Sequence, residues 1–281
     1  MKKCISYWSF KGGLEAAAPL AKVFREAKAK GFQAVEPALA GVGEITPATT
    51  KKECRAIAAD AKAAGVELSS LATGMFWDKP LTANDAAGRE EAFDIAVALI
   101  EKAAWLGLDA VLVVPGAVDV FFLPNAEQIP YDECYKRSQK ALKKLAPIAA
   151  KHKVKVGVEN VWNKFLLSPL EMRDFVDSIG SKYIGAYFDV GNVLLTGFPQ
   201  DWIKILGKRI VRIHIKDFKT SVGTAAGFCD LLQGNVPWKE TMSALKAVGY
   251  RSYVTAEMMP WDKGLIARTS KAMDKILAMA K

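Results

Sequence analysis

Short apolar runs alternate along the whole chain with longer amphipathic stretches. The runs at 4–9, 33–36, 66–72, 110–114, 154–159, 183–189, 210–215 and 252–257 are rich in β-branched and aromatic residues and read as strands. Between and after them, 14–30, 49–64, 84–106, 131–151, 168–179, 192–206, 237–248 and 263–280 carry apolar positions at helical spacing. Ser168-Pro169 supplies a cap and a first-turn proline for the fifth helix, while Gly197 and Pro199 interrupt the sixth. Gly31, Gly65, Gly107, Gly180, Gly207 and Gly249 each follow a helix just ahead of the next strand, where a left-handed stop is expected. Eight strand–helix units without a break in composition predict one (β/α)8 TIM barrel, a single α/β domain over residues 1–281. A doubly wound sheet would carry a glycine-rich phosphate loop after its first strand. Lys11-Gly12-Gly13 fits neither known form of that loop.

Four consecutive strands end in a polar residue able to hold a metal: Glu159, Asp189, His214 and Glu257. Side chains alternate along a strand, so the residue before each inward-facing ligand must face the helices and be apolar. Val158 and Val156 satisfy this before Glu159, Phe188 and Ala186 before Asp189, Ile213 and Val211 before His214, and Ala256 and Val254 before Glu257. Four ligands therefore meet at the end of a barrel where functional side chains gather. Three carboxylates so placed repel one another unless a cation sits among them. One divalent cation per chain is expected, with Mn²⁺, Mg²⁺ or Co²⁺ suited to oxygen donors plus one nitrogen and Zn²⁺ a further candidate.

Composition narrows the class without altering the fold. With 51% hydrophobic and 25% charged residues the chain can build a large core, and no apolar run approaches a membrane span. Its four cysteines are widely spaced, which suits a reduced, cytoplasmic protein with no membrane association. The net charge of +9 is spread along the chain, without the concentrated Lys/Arg block expected of a nucleic-acid partner. A solvated basic surface accounts for it, and an anionic sugar phosphate is the other reading.

The motifs Val-Glu159-Asn, Phe-Asp189-Val-Gly-Asn192, His214-Ile-Lys-Asp217 and Thr-Ala-Glu257 resemble those of the xylose isomerase-like barrel family of sugar-phosphate isomerases and epimerases. The likeness is to the branch containing D-tagatose 3-epimerase-like enzymes. It spans nearly the whole chain and includes Leu-Leu-Gln-Gly-Asn-Val-Pro-Trp238. The resemblance implies a metal-dependent isomerase or epimerase acting on a small-molecule sugar or sugar phosphate through an enediolate. Glu159 and Glu257 would then act as acid/base groups as well as ligands, with Asp189 and His214 as ligands alone. An inosose dehydratase-type lyase and a non-catalytic sugar-binding barrel are the alternatives. A barrel-type apurinic endonuclease is disfavoured, because its three-zinc site needs several histidines and this chain has two. Where the free-ketose enzymes carry a further Glu, a His and an Arg, this chain has the Val161–Leu166 stretch, Asn192, and Lys216 with Lys219.

Further substrate contacts are expected from Glu36, Trp77, Trp162, Asn192, Lys216, Asp217 and Lys219. Glu36 could equally hydrogen-bond a group behind the substrate contacts or form a salt bridge with Arg212, and for the two lysines a solvated loop is the competing reading. Trp8, Phe76 and Phe121 join Trp77 and Trp162 as aromatics at or beyond strand ends. His152 lies at a helix end on the opposite face. By analogy with related barrels, Trp77 or the loop at 121–124 would serve a homo-oligomer interface.

Overall fold

Alternation along each strand decides which side chains point into the barrel, and the strands pair as that alternation requires. A computed structural model describes residues 1–124 and 126–280. Its barrel strands are β1 (Lys2–Ser6), β2 (Ala34–Glu36), β3 (Glu67–Leu68), β4 (Ala110–Val113), β5 (Lys155–Glu159), β6 (Ile184–Asp189), β7 (Ile210–Ile215) and β8 (Tyr253–Ala256). All pair in parallel, in the order β3-β2-β1-β8-β7-β6-β5-β4. A bridge between Leu71 and Val111 joins the two ends of that order. Around them run α1 (Leu20–Ala29), α2 (Lys51–Ala63), α3 (Ala86–Leu106), α4 (Tyr131–His152), α5 (Pro169–Ser178), α6 (Pro199–Leu206), α7 (Trp238–Ala247) and α8 (Leu265–Ala278).

The apolar core lies between strands and helices. Val156, Val158, Ala186, Phe188, Ile213, Val254 and Ala256 are fully buried there, which is the outward set the alternation requires. The six glycines that follow helices all have positive φ, from +53° to +81°. Among the described residues no helix is long and apolar enough to cross a membrane.

Three elements are shorter than the apolar pattern predicts. The first helix starts at Leu20 rather than 14, because turns at 10–17 and Pro19 precede it. The third strand stops at Leu68. There Ser70 Oγ donates to Glu36, and Arg212 donates to the Ser69 carbonyl, so local side-chain bonds displace the regular ladder. The sixth helix begins at Pro199, since Gly197 and Pro199 leave only a single 3₁₀ turn at Gly191–Val193 before it.

Candidate metal centre

The ladder registers carry the four ligand residues to one place. Asp189 pairs with His214 across β6 and β7, and Ala256 pairs with Ile215, so Glu257 follows at the next level. Glu159 closes the arc from β5, opposite Tyr187. One ligand atom from each of Glu159, Asp189, His214 and Glu257 lies within 4.8 Å of all the others, and all four residues are buried. Two short polar links hold the strand ends in that relation. Asn160 donates to the Asp189 carbonyl at 2.8 Å and accepts from the Asp189 N–H at 2.8 Å. Asn192 in turn donates from its side chain to the Asn160 carbonyl at 3.0 Å.

Beneath the ligands is a buried polar floor. His214 Nε2 lies 2.6 Å from Glu36 Oε2, and Glu36 Oε1 accepts from Ser70 Oγ at 2.7 Å and from the Tyr187 hydroxyl. Gly157 makes room for the tyrosine, since a Cβ there would stand 2.9 Å from Tyr187 Cβ and Cδ2. With Nε2 turned to a carboxylate, His214 presents Nδ1 to the cluster, 3.4 Å from Glu159 Oε1. A carboxylate behind a ligating imidazole fixes its ring and its tautomer.

The donor set fits a dication. His214 Nδ1 is buried without a hydrogen-bond partner, a state rare without an unseen partner, and the equally buried Asp189 Oδ2 and Glu257 Oε2 turn to the same point with the Lys216 ammonium as their neighbouring charge. Three carboxylates and one imidazole suit Mn²⁺, Mg²⁺ or Co²⁺ as well as Zn²⁺. Burial and the Glu257 charge push the Glu159 carboxyl up to about 7, although the His214 imidazole draws it down. Burial likewise raises Asp189, outweighing the Lys216 ammonium. Glu257 goes the other way: burial would raise it, but Lys216 and His214 together hold it below the ordinary carboxylate value. His214 is raised well above the usual imidazole range, because Glu36 and Glu257 outweigh burial.

A proton-linked metal affinity follows. Glu159 in the metal-free protein keeps its proton up to about pH 7, so a dication must displace that proton at lower pH. Apparent dication affinity is expected to fall by about tenfold per pH unit for each proton displaced, the Glu159 proton below that point adding to the His214 proton. The metal-free fold should also lose stability as pH rises from 4.5 to about 7, because the unfolded chain gives up the proton first. Calorimetric titration between about pH 5.5 and 8 checks the affinity, and a flat profile would show that no proton leaves Glu159 on metal binding.

The remaining expected contacts separate into two groups. Lys216 reaches the cluster, with its ammonium 3.2 Å from Asp189 Oδ2 and in contact with Glu257. Trp162 is half-buried beside it, donating to the Asn192 carbonyl at 2.9 Å. Its ring meets Phe218 and Phe228 at 5.3 and 5.1 Å. Through Phe121 and Phe122 these aromatics continue to Trp77 as one rim, whereas Phe76 is buried in the core and Trp8 packs against it.

The other expected contacts are committed elsewhere or exposed. Glu36 is fully buried under His214 with both oxygens engaged, which is its expected place behind the site rather than among the substrate contacts. Its expected partner Arg212 turns away to Asp109 and the Ser69 carbonyl. Asp217 is committed to its own loop. It accepts from the backbone N–H groups of Phe218, Leu232 and Val236 at 2.9–3.1 Å and from Trp238 Nε1 at 3.2 Å. The Leu-Leu-Gln-Gly-Asn-Val-Pro-Trp238 segment is therefore a cage around one carboxylate. Lys219 is exposed on the small hairpin formed by Asp217–Phe218 and Phe228–Cys229, and Asn192 spends its amide on Asn160.

Tyr187, Ser70, Asn160 and Phe228 were not among the expected site residues. Tyr187 had a signal, since it precedes Asp189 by two and must point the same way. The others depend on loop paths that no periodicity records.

Residues 24–276 match the profile of the xylose isomerase-like TIM barrel family, and the chain belongs to that family. Similar solved structures include D-psicose 3-epimerase from Clostridium cellulolyticum H10 with D-tagatose, at a TM-score of 0.82 and 17% identity over 100% of both chains. An L-ribulose 3-epimerase superposes with a TM-score of 0.79 at 18% identity, covering 99% of this chain and 95% of that one. The IolI protein with a bound zinc atom gives 0.78 at 18% identity, covering 100% and 99%. At these identities the likeness is one of fold. An uncharacterised protein of Methanocaldococcus jannaschii is 26% identical over 164 residues, which is 56% of this chain and 53% of that relative's length.

Proposed function

We propose that this protein is a divalent-metal-dependent sugar isomerase of the 3-epimerase type, moving a proton on the carbon next to a ketose carbonyl. The observation that carries the reading is the placement of Glu159 and Glu257. The strand order sets them at the two ends of the ligand arc, with Asp189 and His214 between them. Inversion needs one group to take a proton from one face and another to return it from the opposite face. Glu257 lies beside the Lys216 ammonium at one end of the arc, where it would exchange a proton with one face of the substrate. Glu159 stands at the opposite end of the arc, where it would exchange a proton with the other face of the substrate.

A dication held by Glu159, Asp189, His214 and Glu257 would supply the positive charge that stabilises negative charge developing on the substrate oxygens. The protein itself does the positioning. Asn160 and Asn192 lock the ends of β5 and β6, Glu36 fixes the imidazole, and the Trp162–Phe218–Phe228 group walls one side from water. The epimerases of related fold, named above for D-psicose and L-ribulose, support a ketose as the substrate class.

The test is incubation of the Mn²⁺-loaded protein with ketoses and ketose phosphates in D₂O, followed by NMR. Deuterium at C3 with inversion is the expected result. Label at C1 or C2 with aldose formation would make it an aldose–ketose isomerase, and loss of water from inosose a dehydratase. No exchange with any of them would exclude the reading.

A further inference from the structure

Lys216 stands two residues beyond His214, so alternation sends its side chain into the barrel mouth on the same side. The β7–β8 register brings Glu257 alongside it. Its ammonium sits against Asp189 Oδ2 and Glu257 Oε2, two buried carboxylate oxygens of the cluster. The lysine stem is clamped in this position. A Cβ on Gly191 would stand 2.4 Å from Lys216 Cγ and 2.8 Å from its carbonyl oxygen, so only glycine lets the stem pass. On the other flank the Phe228 ring centroid lies 5.4 Å from Nζ. With its side chain 14% exposed, this is not a loop lysine free to swing into water.

We infer that Lys216 is the resident cation of the carboxylate cluster. It neutralises Asp189 and Glu257 while no metal is bound, and it opposes a dication that takes the same two oxygens. The inference rests on the metal-binding reading above. It has two consequences of opposite sign. In the metal-free protein the ammonium relieves repulsion among three buried carboxylates and so supports the fold. Toward the dication it is a like charge in a poorly screened site, where one unit charge alters affinity by tenfold or more. A residue that merely braced Glu257 for the metal would act in the reverse direction, since its loss would weaken binding.

The experiment uses the full chain, stripped of metal, and titrates Mn²⁺ against a competing chelator for wild type, Lys216→Met and Lys216→Arg. Lys216→Met should bind Mn²⁺ about tenfold or more tighter than wild type. Its metal-free Tm should be lower, with the gap closing on loading. Lys216→Arg keeps the charge and should stay within about threefold of wild type in affinity. If metal-free Lys216→Met does not fold, it is prepared with Mn²⁺ and the chelator-driven release rate is measured. Slower release than wild type supports the inference, and equal or faster release overturns it. Equal or weaker equilibrium binding by Lys216→Met, or an unchanged metal-free Tm, also overturns it while leaving the metal centre standing. A wild type that binds no Mn²⁺ at all overturns both.

Discussion

Glu159→Gln and Glu257→Gln are each expected to lower the rate of ketose inversion by about 10²- to 10⁴-fold, the usual contribution of a positioned acid or base. Glutamine keeps an oxygen able to face a cation but cannot take up or return the proton. The fold should survive, because both side chains stand at strand ends with their backbone pairing intact. Metal content measured beside the rate separates two causes of loss. A variant that retains metal but not inversion has lost the proton-transfer group, whereas one that loses both has lost a ligand. Because inversion needs both faces, deuterium exchange without inversion would identify the carboxylate still working. Full inversion by either variant would remove that residue from the acid/base pair.

Glu36→Ala should cost about 3–5 kcal/mol of stability, the largest effect expected for a residue that does not itself face the cluster. Its carboxylate is the shared partner of His214 Nε2, Ser70 Oγ and the Tyr187 hydroxyl, and all four residues are fully buried. Truncation strands three polar groups in a space too closed for them to regain solvent. Dication affinity should fall as well, by about 10- to 100-fold, because the imidazole loses the group that orients it. Glu36→Gln keeps one acceptor for the hydroxyls and should lose less stability than Glu36→Ala. Chemical denaturation of both variants, paired with Mn²⁺ titration, checks the two effects. A Glu36→Ala protein as stable as wild type would exclude the polar floor as a structural unit.

The ligand arc was legible in the sequence because two simple regularities act together. Parity along a strand decides which residues point inward, and an unbroken succession of βα units puts all strand ends on one side. Parity also placed Lys216 and Tyr187 inside, since each lies two residues from a ligand. The Glu36–Arg212 pairing failed for a reason parity does not contain. Both residues point inward, but Glu36 stands at the C-terminal end of β2, level with the site, whereas Arg212 reaches toward Asp109 and the Ser69 carbonyl. Inward direction says nothing of height along the barrel axis. Asp217 was misplaced for another reason: three of its four partners lie 15 to 21 residues further along a loop whose path follows no repeat.

By itself, then, the sequence determined the barrel, the order of its strands and the identity of the four residues that gather at one end. These follow from period-two and period-3.6 patterns, which are local and survive any rearrangement of loops. Only the tertiary structure decided which inward polar groups touch. Strand stagger set the imidazole on Glu36, seated the Lys216 ammonium against Asp189 and Glu257, and left His214 Nδ1 without a hydrogen-bond partner. Those contacts depend on register differences of a few ångströms between strands far apart in the chain, a quantity no single strand encodes.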